Sequence, residues 1–226
     1  QEMITGLPFS LTLDQQQAVQ DIRYDLENPS RMNRLIQGDV GSGKTILAFI
    51  ASYMNFLSGY QTAFMVPTEI LATQHYQKAK EILEPYNMNV ALLTGKLKAS
   101  EKKQIQKDIA EGKINLVIGT HALISEKVIY HNLGLVITDE QHRFGVQQRR
   151  ELKNKGLTPD ILYMSATPIP RTYALTIYGD MEVSNIKTRP MGRKEIETLL
   201  FSEKQLKEVL TRIPLLKTSY FIYIMY

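Results

Sequence analysis

Short apolar runs alternate with longer amphipathic segments along most of this chain. The apolar runs predict strands at 34–37, 62–66, 90–93, 116–118, 135–138 and 161–164. Between them, apolar residues at helical spacing predict helices at about 43–57, 69–84 and 99–111, with two more at 145–154 and 170–178. Strands that alternate with helices are typical of βαβ units. The pattern therefore predicts an α/β fold, with a mostly parallel sheet and helices on both of its faces.

A further helix is predicted near the start of the chain. Gln15 follows Thr12 by three residues, which is the spacing of a capping box, and apolar residues then recur at helical spacing. Because proline disfavours helical backbone at the residue before it, this helix is expected to end at Asn28-Pro29.

The alternation stops at residues 188–193, a basic stretch with proline and glycine. We interpret it as a linker, so that residues 1–188 form a first domain and residues 189–226 form the linker and the truncated start of a second. In that second part, the pattern predicts a strand at 195–200, a helix at 202–212 and a buried strand in the final run YFIYIMY. The length of the chain agrees with this division, since 226 residues suffice for one α/β domain but not for two. A tail that packs back on the first domain is the alternative.

Composition narrows the class of protein. Hydrophobic residues at 43% and charged residues at 22% exclude a disordered or fibrous chain. The lack of cysteine excludes disulfides, thiolate metal sites and a cysteine nucleophile, and it favours a reducing compartment. With no long apolar run and no signal-peptide pattern, we expect a cytoplasmic protein without a membrane partner. The net charge of +4 permits a polyanionic partner and is equally compatible with a metabolic enzyme.

Residues 38–45, GDVGSGKT, match the phosphate-binding pattern G-x-x-x-x-G-K-[ST] between a predicted strand and a predicted helix. In such a loop, backbone N–H groups and the helix N-terminus bind phosphate oxygens. Lys44 would reach the β and γ phosphates, and Thr45 would offer its hydroxyl to Mg²⁺. The predicted nucleotide-binding residues are Gly38, Gly41, Ser42, Gly43, Lys44 and Thr45. A glycine-rich turn without a ligand is the alternative.

An acidic pair follows the apolar run 133–138. Asp139 is expected to bind Mg²⁺, and Glu140 to polarise the attacking water, because phosphoryl transfer depends mainly on positioning and charge stabilisation. Together with Lys44 they form the predicted catalytic set. A solvated turn is the alternative, and the presence of the phosphate-binding loop argues against it.

At this point the motifs resemble a known family. Asp139-Glu140-Gln141-His142 resembles the DEAD/DEAH box of superfamily 2 helicases, and Ser165-Ala166-Thr167 resembles their third motif, which couples the nucleotide site to nucleic acid. The longer strings GDVGSGKT, PTEILATQH, GTHAL, DEQHRFGV and SATPIPRT resemble the RecG family of bacterial ATP-dependent DNA helicases, over roughly residues 7 to 200.

The resemblance implies a RecA-like P-loop NTPase domain that uses ATP and Mg²⁺ and acts on branched or forked DNA in repair and recombination. It also implies a second motor domain and an upstream wedge domain in the same chain, in a bacterial, nucleoid-associated protein. Three alternatives stay open: a transcription-repair coupling translocase, an ATP-binding module that is inactive without its second motor domain, and a small P-loop kinase.

The resemblance assigns further roles residue by residue. Gln15 would read adenine, with Phe9 a weaker candidate for stacking on the base. A role for Gln15 only as the capping-box partner of Thr12 is the alternative. Gln141 and His142 would join Ser165, Ala166 and Thr167 in coupling. The residues expected to contact one DNA strand are Pro67, Thr68, Glu69, Thr120 and His121. Arg149 and Arg150 could contact DNA or the second motor domain, or be solvated, and the lysines at 96–107 are interpreted as a solvated helix face.

Overall fold

A computed structural model describes residues 2–139, 158–167 and 181–188. The chain divides into two compact units, Gln1–Met191 and Gly192–Tyr226, and all the described residues lie in the first. The elements predicted at 145–154, 170–178, 195–200 and 202–212 lie outside the described residues, as does the final apolar run. The domain division at 188 therefore stays a prediction.

Seven strands lie in the described part of the chain, and all of their pairings are parallel. They are β1 (Asn33–Gly38), β2 (Gln61–Met65), β3 (Val90–Leu93), β4 (Leu116–Gly119), β5 (Leu133–Asp139), β6 (Asp160–Ser165) and β7 (Glu182–Ile186). They form one sheet in the order β3-β4-β2-β5-β6-β1-β7. The six predicted strands are confirmed to within two residues at each end.

Strand β7 was not predicted. Its sequence, EVSNI, has three polar residues out of five, and only Ser184 and Ile186 of this strand are buried. Among the described strands, β7 pairs only with β1, at the edge of the sheet, where a strand needs less apolar surface than a central one. The sequence criterion of continuous apolar runs therefore misses it.

Five α-helices lie among the described residues. They are α1 (Glu2–Thr5), α2 (Leu13–Glu27), α3 (Lys44–Leu57), α4 (Glu69–Leu83) and α5 (Ala99–Ala110), with short 3₁₀ segments at Glu84–Tyr86 and His121–Ile124. All except α1 were predicted to within one residue at each end. Within the part of the chain that the structure describes, no helix is both long and apolar enough to cross a membrane.

The predicted capping box at the start of α2 is confirmed. The backbone N–H of Gln15 donates to Thr12 Oγ1 at 3.3 Å, and the backbone N–H of Thr12 donates to Gln15 Oε1 at 2.9 Å. Each side chain thus satisfies a backbone donor that the first turn of a helix leaves without a partner.

Helices cover both faces of the sheet, as predicted. On one face, α2, α3 and α4 pack with Ile36 and Phe64 of the strands. On the other, Ile109 of α5 packs with Leu35 and Ala63. Neighbouring strand residues such as Leu35 and Ile36 lie in opposite cores because side chains alternate along a strand.

A buried ionic network attaches β7 to the rest of the domain. The Arg34 guanidinium of β1 donates to both carboxylate oxygens of Asp25 in α2, at 2.6 and 3.0 Å, and to Ser184 Oγ of β7 at 2.9 Å. Ser184 in turn donates to Asp21 at 2.7 Å. Polar contacts thus join three elements where β7 supplies little apolar surface.

The residues after β7 are tied to the first turn of α2. Asp14 Oδ2 accepts hydrogen bonds from the backbone N–H groups of Lys187 and Thr188 at 2.8 and 2.7 Å, and from Thr188 Oγ1 at 2.8 Å. These bonds, those from Thr188 first, lower the pKa of the Asp14 carboxyl. Lys187 and Thr188 therefore lie beside the start of α2.

Candidate nucleotide and nucleic-acid site

The predicted site residues meet at the carboxyl edge of the sheet, where ligands bind in open α/β folds. The phosphate-binding loop follows β1, Asp139 ends β5, and Ser165 ends β6, which lies between them. The strand register pairs Gln37 with Ser165 and Asp139 with Met164, so all three elements end at nearly the same level. The fold thus places the phosphate-binding loop and Asp139 at the same edge of the sheet, with one strand, β6, between them.

The backbone of the phosphate-binding loop requires glycine at two positions. Gly41 and Gly43 have φ values of 76° and 88°, in the left-handed region that favours glycine. A Cβ on Gly43 would also collide with the side-chain amide of Gln15. The loop leads directly into α3, whose first residue is Lys44, so a helix N-terminus faces the loop.

Lys44 lies folded over this loop. Its ammonium Nζ donates to the carbonyl oxygens of Gly38 at 2.6 Å and Asp39 at 2.9 Å. The cation is therefore held where phosphate oxygens would approach the loop. Phosphate is the stronger partner, because its full negative charge attracts the ammonium more than the dipole of a neutral carbonyl does.

Gln15 is the glutamine of the Gln15–Gln17 run that faces the phosphate-binding loop. It is 2% exposed, and its Nε2 donates to the carbonyl oxygen of Ser42 at 2.8 Å, whereas Gln16 and Gln17 are exposed. The bonds to Ser42 and Thr12 use one amide hydrogen and one carbonyl lone pair of Gln15. A second hydrogen and a second lone pair are left, and they match the acceptor and donor of an adenine edge. Its capping role is confirmed, while adenine reading stays a prediction.

Phe9 lies 47% exposed in the segment before α2. It lines a cavity of about 550 Å³ together with residues of α1 and of the first turns of α2, among them Gln16 and Gln20. Gln15 is not among the residues that line this cavity. The stacking role of Phe9 therefore stays a prediction.

The oxygen donors at this edge fit Mg²⁺. Asp139 ends β5 with its side chain 19% exposed, and Thr45 lies in the first turn of α3. Within residues 2–139, 158–167 and 181–188, no three acidic, cysteine or histidine side chains converge on a metal position. Mg²⁺ typically binds through one or two carboxylates, phosphates and water, so a carboxylate and a hydroxyl suit an ion shared with a nucleotide.

Buried polar atoms lie beside these donors. Ser42 Oγ in the loop, Gln37 Oε1 at the end of β1 and Thr138 Oγ1 next to Asp139 have no hydrogen-bond partner among the described residues. Since buried polar groups are normally satisfied, these three atoms require a partner that the described residues do not supply, such as water or a bound ligand.

Ser165, Ala166 and Thr167 form a compact turn at the end of β6. The Thr167 backbone N–H donates to Ser165 Oγ at 3.2 Å, and the two hydroxyl oxygens lie 3.0 Å apart. This turn lies between the strands that carry the phosphate-binding loop and Asp139, a position suited to coupling. Glu140, Gln141, His142, Arg149 and Arg150 lie outside the described residues, so their roles stay predictions.

The predicted DNA-contacting segments follow adjacent strands. Thr68, after β2, is the N-cap of α4, since its Oγ1 accepts from the Leu71 N–H at 3.3 Å. Thr120 follows β4, the neighbour of β2, and precedes the 3₁₀ segment that His121 begins. Pro67 and Thr68 therefore lie one strand away from Thr120 at the carboxyl edge. Contact with DNA stays a prediction for these residues.

A third loop at this edge was missed in the sequence. Thr94-Gly95-Lys96 follows β3, the neighbour of β4, and Lys96 forms an ion pair with Glu69 at 3.7 Å. A Cβ on Gly95 would lie 2.6 Å from Glu69 Oε1, so glycine allows the two loops to approach. The available signal was a Thr-Gly pair directly after a predicted strand, similar to Gly119-Thr120.

The other lysines near 96 belong mainly to α5. Lys107 forms an ion pair with Glu111 one turn along, and Lys102 donates to the carbonyl oxygen of Gly95 at 2.6 Å. The interpretation of a solvated helix face suits Lys107, whereas Lys96 lies beside the predicted DNA-contacting segments.

Comparisons with known proteins agree with this geometry. Residues 12–176 match the DEAD/DEAH box helicase family. The chain is 55% identical to the ATP-dependent DNA helicase RecG of Aquifex aeolicus, over 99% of this chain and 28% of that protein. It is 52% identical to RecG of Bacillus subtilis, over 91% of this chain and 32% of that protein. The chain thus spans about a third of the length of these relatives.

Solved structures give the same result for the fold. The structure of RecG bound to a three-way DNA junction matches 94% of this chain and 28% of that chain, with a TM-score of 0.82 and 51% identity. The DUF1998 helicase MrfA bound to DNA matches with a TM-score of 0.68 and 16% identity, over 95% of this chain and 34% of that chain, which shows the shared fold alone. The predicted resemblance to RecG and the predicted RecA-like fold are confirmed. Because the family match covers most of its length, this chain belongs to the DEAD/DEAH box helicase family.

Proposed function

We propose that these residues form the ATP-binding first motor domain of a RecG-type DNA helicase, which couples ATP hydrolysis to translocation and remodels branched DNA at stalled forks and recombination junctions. The observation that carries the proposal is the 55% identity to RecG along 99% of this chain. The RecG structure with a TM-score of 0.82 was determined on a three-way DNA junction, which favours a branched substrate.

At the nucleotide site, Lys44 exchanges its carbonyl partners in the loop for the β and γ phosphates of ATP. Thr45 and Asp139 hold Mg²⁺, which when bound neutralises charge on the phosphate oxygens. Glu140 orients the attacking water and accepts its proton. Gln15 reads the adenine edge with the hydrogen and the lone pair that its present bonds leave.

At the DNA site, loops that follow β2, β3 and β4 contact one strand. Hydroxyl and backbone N–H groups at Thr68 and Thr120 are of the kind that binds DNA phosphates, and the N-terminus of α4 adds partial positive charge. Lys96, in the loop after β3, contributes a cation close to Glu69. Ser165 and Thr167, at the end of β6 between the phosphate-binding loop and Asp139, transmit changes at the nucleotide to this surface.

Translocation requires a second motor domain, because a helicase of this type steps by closing and opening two domains around ATP. We assign that domain to residues beyond the linker, and fork recognition to a wedge domain upstream. The protein acts on the nucleoid in the bacterial cytoplasm, where its DNA substrate lies.

The test compares the ATPase activity of the complete natural chain with that of residues 1–226, with and without forked DNA at matched salt, since DNA affinity depends steeply on salt. We expect fork-stimulated turnover only from the complete chain. Charge stabilisation by an arginine from a second domain is worth about 10³ to 10⁵ in rate in related NTPases. Fork-stimulated turnover by residues 1–226 alone would contradict the two-domain mechanism. Equal stimulation by linear duplex would contradict the RecG-type assignment and favour a coupling translocase.

A further inference from the structure

The side chain of His75, on α4, contacts the carboxylate that is expected to bind Mg²⁺. Its Nε2 lies 3.4 Å from Asp139 Oδ2, a long hydrogen bond. His75 is 12% exposed and Asp139 19% exposed, so the contact is largely shielded from water. His75 is the last residue of the PTEILATQH string, and the proposed mechanism gives it no role.

The chemistry of the pair fixes which atom carries the proton. An ionised carboxylate only accepts hydrogen bonds, so Nε2 of His75 is the donor. Asp139 Oδ2 is engaged by His75, and Oδ1 remains for a metal ion or for water. A hydrogen bond to one oxygen limits rotation of the carboxylate about its side-chain bond.

Packing holds the imidazole in place. The ring stacks on Phe64 of β2, with the ring centres 5.2 Å apart and the planes at 21°. Phe64 is fully buried and meets Phe49 of α3 edge to face at 6.4 Å. The histidine is therefore fixed by the same core that supports the helix after the phosphate-binding loop. A ring held this way keeps Nε2 directed at Asp139.

We propose that His75 is a positioning residue that holds the Asp139 carboxylate in the orientation that binds Mg²⁺ with the nucleotide. The inference rests on the proposed function, because it takes Asp139 as the metal ligand. Groups that hydrogen-bond to metal-ligating side chains typically change metal affinity or activity by about 10- to 100-fold when they are removed. His75 acts through Asp139 and touches neither ATP nor the metal.

The test measures binding of a fluorescent ADP analogue to the complete natural chain, in EDTA and at increasing Mg²⁺ concentration. His75→Phe keeps a ring against Phe64 and removes the donor, whereas His75→Gln replaces the imidazole with an amide donor. His131→Ala is the matched control, because His131 is exposed and lies before β5, at the opposite edge of the sheet. Asp139→Asn is the reference for loss of the ligand itself.

We expect His75→Phe to bind the analogue normally in EDTA and to need about tenfold more Mg²⁺ for half of the Mg²⁺-dependent gain in affinity. His75→Gln should restore most of the difference, and His131→Ala should match the wild type. If His75→Phe kept the wild-type Mg²⁺ dependence while Asp139→Asn needed more Mg²⁺, the positioning role of His75 would be rejected and the proposed metal site would stand.

Two other results have distinct meanings. An unchanged Mg²⁺ dependence in Asp139→Asn would show that the proposed metal site is wrong, and the inference would fail with it. If His75→Phe and His75→Gln both lost binding in EDTA, His75 would be a packing residue only, and the positioning role would be rejected.

Discussion

Replacing Gln15 with glutamate separates two roles that the same side chain combines. Glutamate is itself a capping-box residue and can still accept from the Thr12 N–H. It cannot donate to the Ser42 carbonyl oxygen, which now accepts from Gln15 Nε2 at 2.8 Å in a buried position. Gln15→Glu therefore keeps the start of α2 and removes the tie to the phosphate-binding loop.

The magnitude follows from the burial of that bond. Leaving a buried carbonyl without its partner costs about 1–3 kcal/mol in the free energy of unfolding, and a carboxylate oxygen facing it adds repulsion. Gln15→Ala removes the bond from the Thr12 N–H as well, and should cost about 0.5–1.5 kcal/mol more than the lost Ser42 bond alone. Binding of ATP must then reorder the released loop, and an ordering cost of about 1.4 kcal/mol would weaken the affinity by about tenfold.

Urea unfolding and calorimetric affinities for ATP and GTP measure both effects. The matched control is Gln17→Glu, which makes the same charge change on an exposed face of α2. Repulsion between the new carboxylate and Asp21 should lower the free energy of unfolding by only about 0.2–0.5 kcal/mol. We expect Gln15→Glu to unfold at lower urea and to lose any preference for ATP over GTP. If Gln15→Glu unfolded at the wild-type urea concentration and bound ATP with wild-type affinity, the bond from Gln15 to Ser42 would not hold the loop. Lower stability with an unchanged preference would mean that Gln15 holds the loop and does not read the base.

Three further variants test other parts of the domain. Lys44→Ala should bind ATP far more weakly by calorimetry while remaining folded, because a methyl group cannot replace the cation at the phosphates; unchanged affinity would contradict the phosphate-binding assignment. Glu140→Gln in the complete chain should keep MgATP binding and slow hydrolysis by orders of magnitude, and a joint loss of binding and turnover would reject Glu140 as the base. Arg34→Met should cost about 3–5 kcal/mol in urea unfolding because it leaves Asp25 largely buried without its partner, and a loss under 1 kcal/mol would show that water solvates this network.

The sequence alone determined the features that depend on near neighbours. The capping box of Thr12 and Gln15 spans three residues, and the phosphate-binding loop is a contiguous pattern between a strand and a helix. Apolar runs located six strands because strands of a parallel sheet that helices cover on both faces are apolar throughout, and even the edge strand β3 has such a run. Order along the chain therefore sufficed for the α/β class, the nucleotide-binding loop and the family resemblance.

Which of these segments contact each other depends on the tertiary structure. Gln15 meets Ser42 across 27 positions, and His75 meets Asp139 across 64, so no local pattern links either pair. The strand order places Thr94-Gly95 beside Thr120, and it puts β7 at the edge, where Arg34 holds Ser184. Strand order and packing arise from contacts between residues distant in sequence, and a single sequence contains no record of which distant residues meet.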